Sequence, residues 1–260
     1  MRTRGRTGWT VALLVLLSAP ASHAAEKAAG TPQGRSTETA TVAGESSGPV
    51  TVGMEVKAAS AYVWRGFVPT PAFSLEPEPW IRIGEVTVSS MTDLARPDGS
   101  MLVDEHDLTV DYSHRAGPVR LSGGWINYVF PQETENRHSD ELYAAVALSS
   151  YLHPTLRVFE DVHAGKGTYV NLAVSHEYEL ARDWAVTPSL AVGYNRHYWI
   201  DASTFSDANV GVTLTVPTPV PGLRLAPFLN YSRSLNLDYT PNRFYGGLGL
   251  VIGPERDAER

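Results

Sequence analysis

Cysteine is missing from all 260 residues. Its absence removes disulfides, thiolate metal sites, cysteine nucleophiles and a lipid-bearing N-terminal Cys. Long apolar runs are missing too. Past the N-terminus no stretch of about 18 apolar residues occurs, so no transmembrane helix is expected. Bases are in deficit, with Lys+Arg 21 against Asp+Glu 28 and a formal net charge of −7. Three of those bases, Arg2, Arg4 and Arg6, sit in the first few residues, so the rest of the chain is more acidic still. Such a chain is poorly suited to neutralising phosphates, which excludes a nucleic-acid partner. The eight His are dispersed without ligand-like spacing, and no Gly-rich loop leads from a strand into a helix. Neither a metal nor any other cofactor is expected.

What the chain does have is alternation. In Trp184–Asn195, Trp184, Val186, Pro188, Leu190, Val192 and Tyr194 form a bulky apolar set, and Ala185, Thr187, Ser189, Ala191, Gly193 and Asn195 a small or polar one. Period two indicates a β-strand. Strands of soluble proteins usually run about 5–6 residues. This one is about twice as long, and tilted by about 45° it spans roughly 28 Å, close to the hydrocarbon thickness of a bilayer. Aromatics at both ends of the apolar set match the two girdles of a transmembrane barrel strand.

The same pattern predicts twelve strands, at 51–64, 73–83, 86–94, 105–114, 119–129, 140–149, 155–162, 168–179, 184–195, 205–216, 223–235 and 243–252. The second is weakened by Pro77 and Pro79, and the fifth is ambiguous because Trp125 and Tyr128 have opposite parity. Connections alternate in length. Short ones fall at Gly84-Glu85, 115–118, 150–154, 180–183 and 217–222; longer ones fall at 65–72, 95–104, 130–139, 197–204 and 236–242, with 163–167 as the exception. Short periplasmic turns, longer outer loops and an even strand number are the pattern of bacterial outer-membrane barrels. Lipid cannot bond to backbone N–H and C=O groups, so such a sheet must close, first strand on last. The expected fold is therefore all-β, a 12-stranded antiparallel up-and-down transmembrane barrel over 50–253. A secreted β-sandwich or lipocalin-type barrel also alternates, but with its apolar face inward.

Flanking segments fit export. Residues 1–24 have a basic start, an apolar run Val11–Leu17 and the small-x-small site Ser22-His23-Ala24, as in a signal peptide. Residues 25–49 are small, polar and aperiodic, a disordered periplasmic leader. Tyr245, Gly247, Leu250 and Ile252 have the spacing of a barrel-assembly signal without its final aromatic, and a charged tail, 254–260, follows.

Several motifs, in order, resemble the TorF-like family of outer-membrane porins. They are Ser60–Gly66 (SAYVWRG), Asp111-Tyr112, Asn127–Pro131 (NYVFP), Glu141–Tyr143 and Asp161 followed by Gly165–Tyr169 (GKGTY), then Ser175-His176, Gly193–Asn195 and Asp207–Gly211. The resemblance covers about residues 51–252 and implies an outer-membrane barrel with a pore role, without assigned substrate or catalytic residues.

On the inner parity lie Glu55, Lys57, Glu76, Glu78, Arg82, Asp107, Asp111, Glu141, Arg157, Asp161, Glu177, Asp207 and Arg224, with Asn171, Asn195, Asn209 and Asn230. Nine acids against four bases favour small polar or cationic solutes if the lumen is open. If these charges pair across the interior, the barrel is plugged and structural or adhesive. A third possibility, a lipid hydrolase, would need Ser113-His114 or Ser175-His176. Strand neighbours point to opposite faces, so nucleophile and base would not meet, and no enzyme is expected. His114 and His176 are read as interfacial residues near the inner rim. Arg65, Arg96, Asp98, Glu133, Glu135, Arg137 and Asp201 are read as solvated outer-loop charges, able at most to touch lipopolysaccharide or a partner. The function expected is a small Gram-negative porin for passive diffusion, its partners being outer-membrane lipid and the barrel-assembly machinery.

Overall fold

A computed structural model describes residues 50–96, 100–180 and 183–253. The expected signal, leader and charged tail lie outside the described residues. The strands are β1 (Val50–Ala59), β2 (Tyr62–Trp64), β3 (Phe67–Thr70), β4 (Ser74–Ile83), β5 (Val86–Ala95), β6 (Leu102–Ala116), β7 (Val119–Val129), β8 (His138–Leu148), β9 (Thr155–Asp161), β10 (Gly167–Ser175), β11 (Tyr178–Glu179), β12 (Ala185–Arg196), β13 (Ser203–Pro217), β14 (Leu223–Ser234) and β15 (Arg243–Ile252). Twelve of them make a closed antiparallel barrel. Consecutive barrel strands pair as neighbours, β10 pairs with β12, and β1 closes on β15 with Met54 opposite Ile252 and Ala59 opposite Gly247. β11 adds two residues to the edge of β12, and β2 and β3 form a separate hairpin.

The two faces are chemically opposite. Leu172, Leu190, Val210, Val212 and Leu229 are exposed on the outside, Val210 at 55%. Asn195 and Asp207, on the other parity, are fully buried. Outer aromatics gather at both rims. Tyr112, Tyr151, Tyr178 and Trp184 lie toward the short turns; Tyr194, Tyr231 and Phe244 lie toward the long loops, with Phe205 packed edge-on against Tyr194 at 5.3 Å. A continuous apolar belt of this kind on a monomer needs an apolar medium around it.

Two irregularities follow from the sequence. β4 pairs with β1 along its length, yet its ladder to β5 is broken between Leu75 and Trp80. Pro77 and Pro79 lie in that gap. Residues of one parity aim their N–H at one neighbour, so both missing donors fall on the β5 side. In β13 a bulge at Ser206 shifts the register, so Phe205 points outward although strict alternation with Asp207 would turn it in. In β7, Tyr128 is buried on the inner face. Trp125 stands on the outer face opposite Leu142 and donates Nε1–H to Asp140 at 3.1 Å.

Two strands end well before expectation. The strand expected at 51–64 stops at Ala59, and residues 60–73 turn into the barrel as the β2–β3 hairpin. The strand expected at 168–179 stops at Ser175. The tight loop 162–166 is explained by Asp161, whose carboxylate accepts the backbone N–H groups of His163, Gly165 and Lys166 and so replaces the bonds a longer loop would make within itself.

Val210 sits mid-strand on the outer face. Val210→Lys should cost about 2–4 kcal/mol of folding free energy in liposomes. Urea titration of the refolded barrel measures it, and an unchanged midpoint would contradict the outward apolar face.

Candidate functional site: the lumen and its hairpin

The site begins with the turn Trp64-Arg65-Gly66-Phe67. Trp64 pairs with Phe67, and both central residues have positive φ, 49° at Arg65 and 84° at Gly66. That is the two-residue turn whose twist suits a hairpin. Gly66 is also required by space, since a Cβ there would lie 2.6 Å from Asp207 Cβ on β13. Arg65 has no such freedom, and its left-handed backbone costs about 1–3 kcal/mol.

What holds it is Glu141 of β8, fully buried. Arg65 Nη1 and Nη2 donate to the two carboxylate oxygens at 2.6 and 2.8 Å, and Nη1 also donates to the Tyr198 hydroxyl. Tyr198, from the loop 197–202, donates to Glu141 Oε2 at 2.5 Å, and Tyr128 donates to Oε1 at 3.0 Å. Asn195 positions Tyr198 by accepting its N–H and donating to its C=O, both at 2.8 Å. The guanidinium lies 3.7 Å from the Phe159 ring centre and 4.8 Å from that of Trp64. Burial opposes the Arg65 charge, and the bidentate pair with Glu141 offsets it. A buried pair is costly to break, by about 3–5 kcal/mol when one partner is removed, which exceeds the backbone strain.

The rest of the hairpin is pinned on the opposite wall. The Tyr62 hydroxyl donates to Glu105 on β6 at 3.3 Å, and Thr70 Oγ1 donates to Asp93 on β5 and to Asp104, each at 3.2 Å. Ser74 bonds Asp93 at 2.5 Å and Glu76 at 3.0 Å, and Lys57 bonds Glu76 at 2.5 Å. The hairpin thus crosses the lumen, from β5 and β6 at its base to β8 and β13 at its tip.

The residues expected to line the lumen fall into distinct places. Glu141 and Asn195 belong to the latch. Asp161 is 1% exposed, also bonded by Ser139, and serves the loop rather than the wall. Asp207 accepts from Tyr169, Ser206 and Asn209. Asp111 accepts from Tyr143. Lys57 is tied to Glu76, and Arg82 lies over Trp80 with Thr87 as partner. Asp107 is buried beside the hairpin. Glu55 is in register with Glu78 and with Val251, itself opposite Arg224, near the short-turn end. Glu177 lies beyond the end of β10. Arg157, Asn171 and Asn209 line a cavity of about 290 Å³ beneath the hairpin tip, with Val63, Arg65, Phe159, Tyr169 and Tyr245.

Reading Arg65 as a solvated outer-loop charge is therefore corrected. It is drawn inside because a buried carboxylate and four rings satisfy it there. Two short apolar runs around Arg-Gly were the signal for the turn. Tyr198 carried no local signal.

The barrel is similar to that of the porin NanC. The TM-score is 0.55 at 9% identity, covering 76% of this chain and 98% of the porin, a likeness of fold. The translocator domain of the autotransporter NalP from Neisseria meningitidis gives 0.39 at 10% identity, over 78% and 87% of the two chains, too low to bear on the architecture. No protein-family model and no curated protein matches the chain.

Glu141→Ala should strand the buried guanidinium and cost about 3–5 kcal/mol. The freed hairpin should also become cleavable by trypsin at Arg65. Adding Arg65→Ala should recover part of the loss, because no unpaired charge remains. Losses that simply add, with no new cleavage, would rule out the latch.

Proposed function

We propose that the protein is a Gram-negative outer-membrane channel for passive diffusion of small polar solutes, constricted by its own hairpin. What carries the reading is the contrast of faces: a belt of exposed aliphatic side chains outside, and inside a polar wall that water reaches on the short-turn side of the hairpin. There Ser189 and Arg157, both on the inner parity, are exposed, and the cavity opens under the tip. The porin-like fold and the TorF-like motifs support it. On this reading the N-terminal segment directs export, the barrel-assembly machinery inserts the barrel, and lipid and lipopolysaccharide surround it. The chain acts without catalysis. Ser113 bonds Ser122 at 3.2 Å on the inner face, and His114 reaches Glu85 at 2.5 Å on the outer one, so they do not form a dyad. Tyr151, His153, His176 and Tyr178 cluster at the rim as an interfacial group.

The latch favours a second reading, a barrel held shut until the hairpin is released. Planar-bilayer recordings separate the two. Small discrete steps from the refolded wild type, enlarged by Glu141→Ala, are expected of the constricted channel. A silent wild type with a conducting Glu141→Ala variant indicates the closed barrel. Correctly inserted protein that is silent in both would sink the channel.

A further inference from the structure

The hairpin is a neutral strap with a single charge on it. Within residues 60–73 only Arg65 is ionic, and it stands in the turn at the tip. The ties at the base are made by hydroxyl donors, Tyr62 to Glu105 and Thr70 to Asp93 and Asp104. Each carboxylate that holds the hairpin, Glu141 included, belongs to a wall strand. A hairpin that lets go therefore carries one positive charge with it and leaves the counter-charge behind. Its direction of travel is set by its ends. Ala59 and Ser74 lie at the long-loop ends of β1 and β4, so release takes the tip toward that side. The hold is also strained. Arg65 has φ 49°, and His197 and Trp199, with φ 55° and 57°, bracket the Tyr198 that it meets. Left-handed residues of this kind store strain that the latched contacts offset, which narrows the gap between the held and released states.

We infer that the hairpin is a voltage-sensitive gate and that Arg65 is its sensing charge. This rests on the channel reading and adds to it what moves the constriction. In a water-filled tube narrowed at one level, an applied potential falls chiefly across the narrow part, and Arg65 sits there. One elementary charge that crosses the whole drop changes the ratio of released to latched hairpin by about fiftyfold per 100 mV, and one that crosses half of it by about sevenfold. The sign follows from the direction of travel. A potential negative on the long-loop side draws the guanidinium outward and releases the hairpin; the opposite potential keeps it on Glu141. Neutrality of the Arg65–Glu141 pair does not cancel the effect, because Glu141 is fixed in β8 and only the mobile charge does work in the field. Sensing and holding are separable. Arg65→Lys keeps the charge and loses the two-pronged bond, so it lowers the potential needed and preserves the steepness. Removal of the charge removes the steepness.

The test uses the refolded full-length barrel, its folding confirmed by heat-modifiable mobility on gels, added to a planar bilayer from one chamber. Short turns cross a bilayer more readily than long loops, so the long loops stay on the side of addition. With that side negative, the wild type should favour its larger conductance by about sevenfold to fiftyfold per 100 mV, and with it positive the smaller one. Arg65→Lys should keep this slope and open at lower potential. The double variant Arg65→Gln, Glu141→Gln, which strands no buried charge, should lose the slope. Equal opening at both polarities, the reverse polarity, or a slope retained in the folded double variant would overturn the gate. A barrel silent at every potential strikes the channel reading, and chymotrypsin then decides the inference in sealed vesicles under a valinomycin potassium gradient. Cleavage at Trp64 and Phe67 that quickens when the long-loop side is negative upholds the sensing charge. A cleavage rate blind to the potential overturns it.

Discussion

The wall of this protein exists because its sheet has no edge. β1 and β15 are the most distant strands in sequence, and their six-residue pairing converts a twelve-strand meander into a ring. An open sheet would present unpaired N–H and C=O groups along β1 and β15, a template for aggregation in water and an intolerable loss in hydrocarbon. Closure also fixes which face is which. Once the ring is formed, a one-residue slip would turn Asn195 and Asp207 toward the apolar surround and Leu190 and Val210 into the lumen.

Closure creates a second problem, an interior crowded with charge. Some of it is solved locally, as with Lys57 and Glu76 on adjacent strands. The rest is solved by chain that does not belong to the wall. Tyr62 and Thr70 satisfy acids on one side, and Arg65 satisfies Glu141 on the other. The hairpin is thus held by the wall, and the wall's buried carboxylates are held by the hairpin. This reciprocity is why the same element can narrow the passage and stabilise it.

The strand pattern was legible because the two faces differ so strongly in polarity. β15 and β4 appear within a residue of their expected bounds, and the inner parity of Glu141, Asp207 and Asn195 follows from counting by two. The counting failed where it stops being local. The Ser206 bulge reverses Phe205. Residues 60–64 keep the polarity of a strand, yet leave the wall. Asp161 has the parity of a lumen residue but is spent on the turn beside it.

By itself the sequence determined the closed twelve-strand barrel and the direction of each face, because alternation repeats in every strand and lipid or water enforces it residue by residue. Only the tertiary structure decided where the hairpin goes and which charges it pairs. Arg65 and Glu141 are far apart in the chain, and nothing short of their meeting in the lumen sets one against the other.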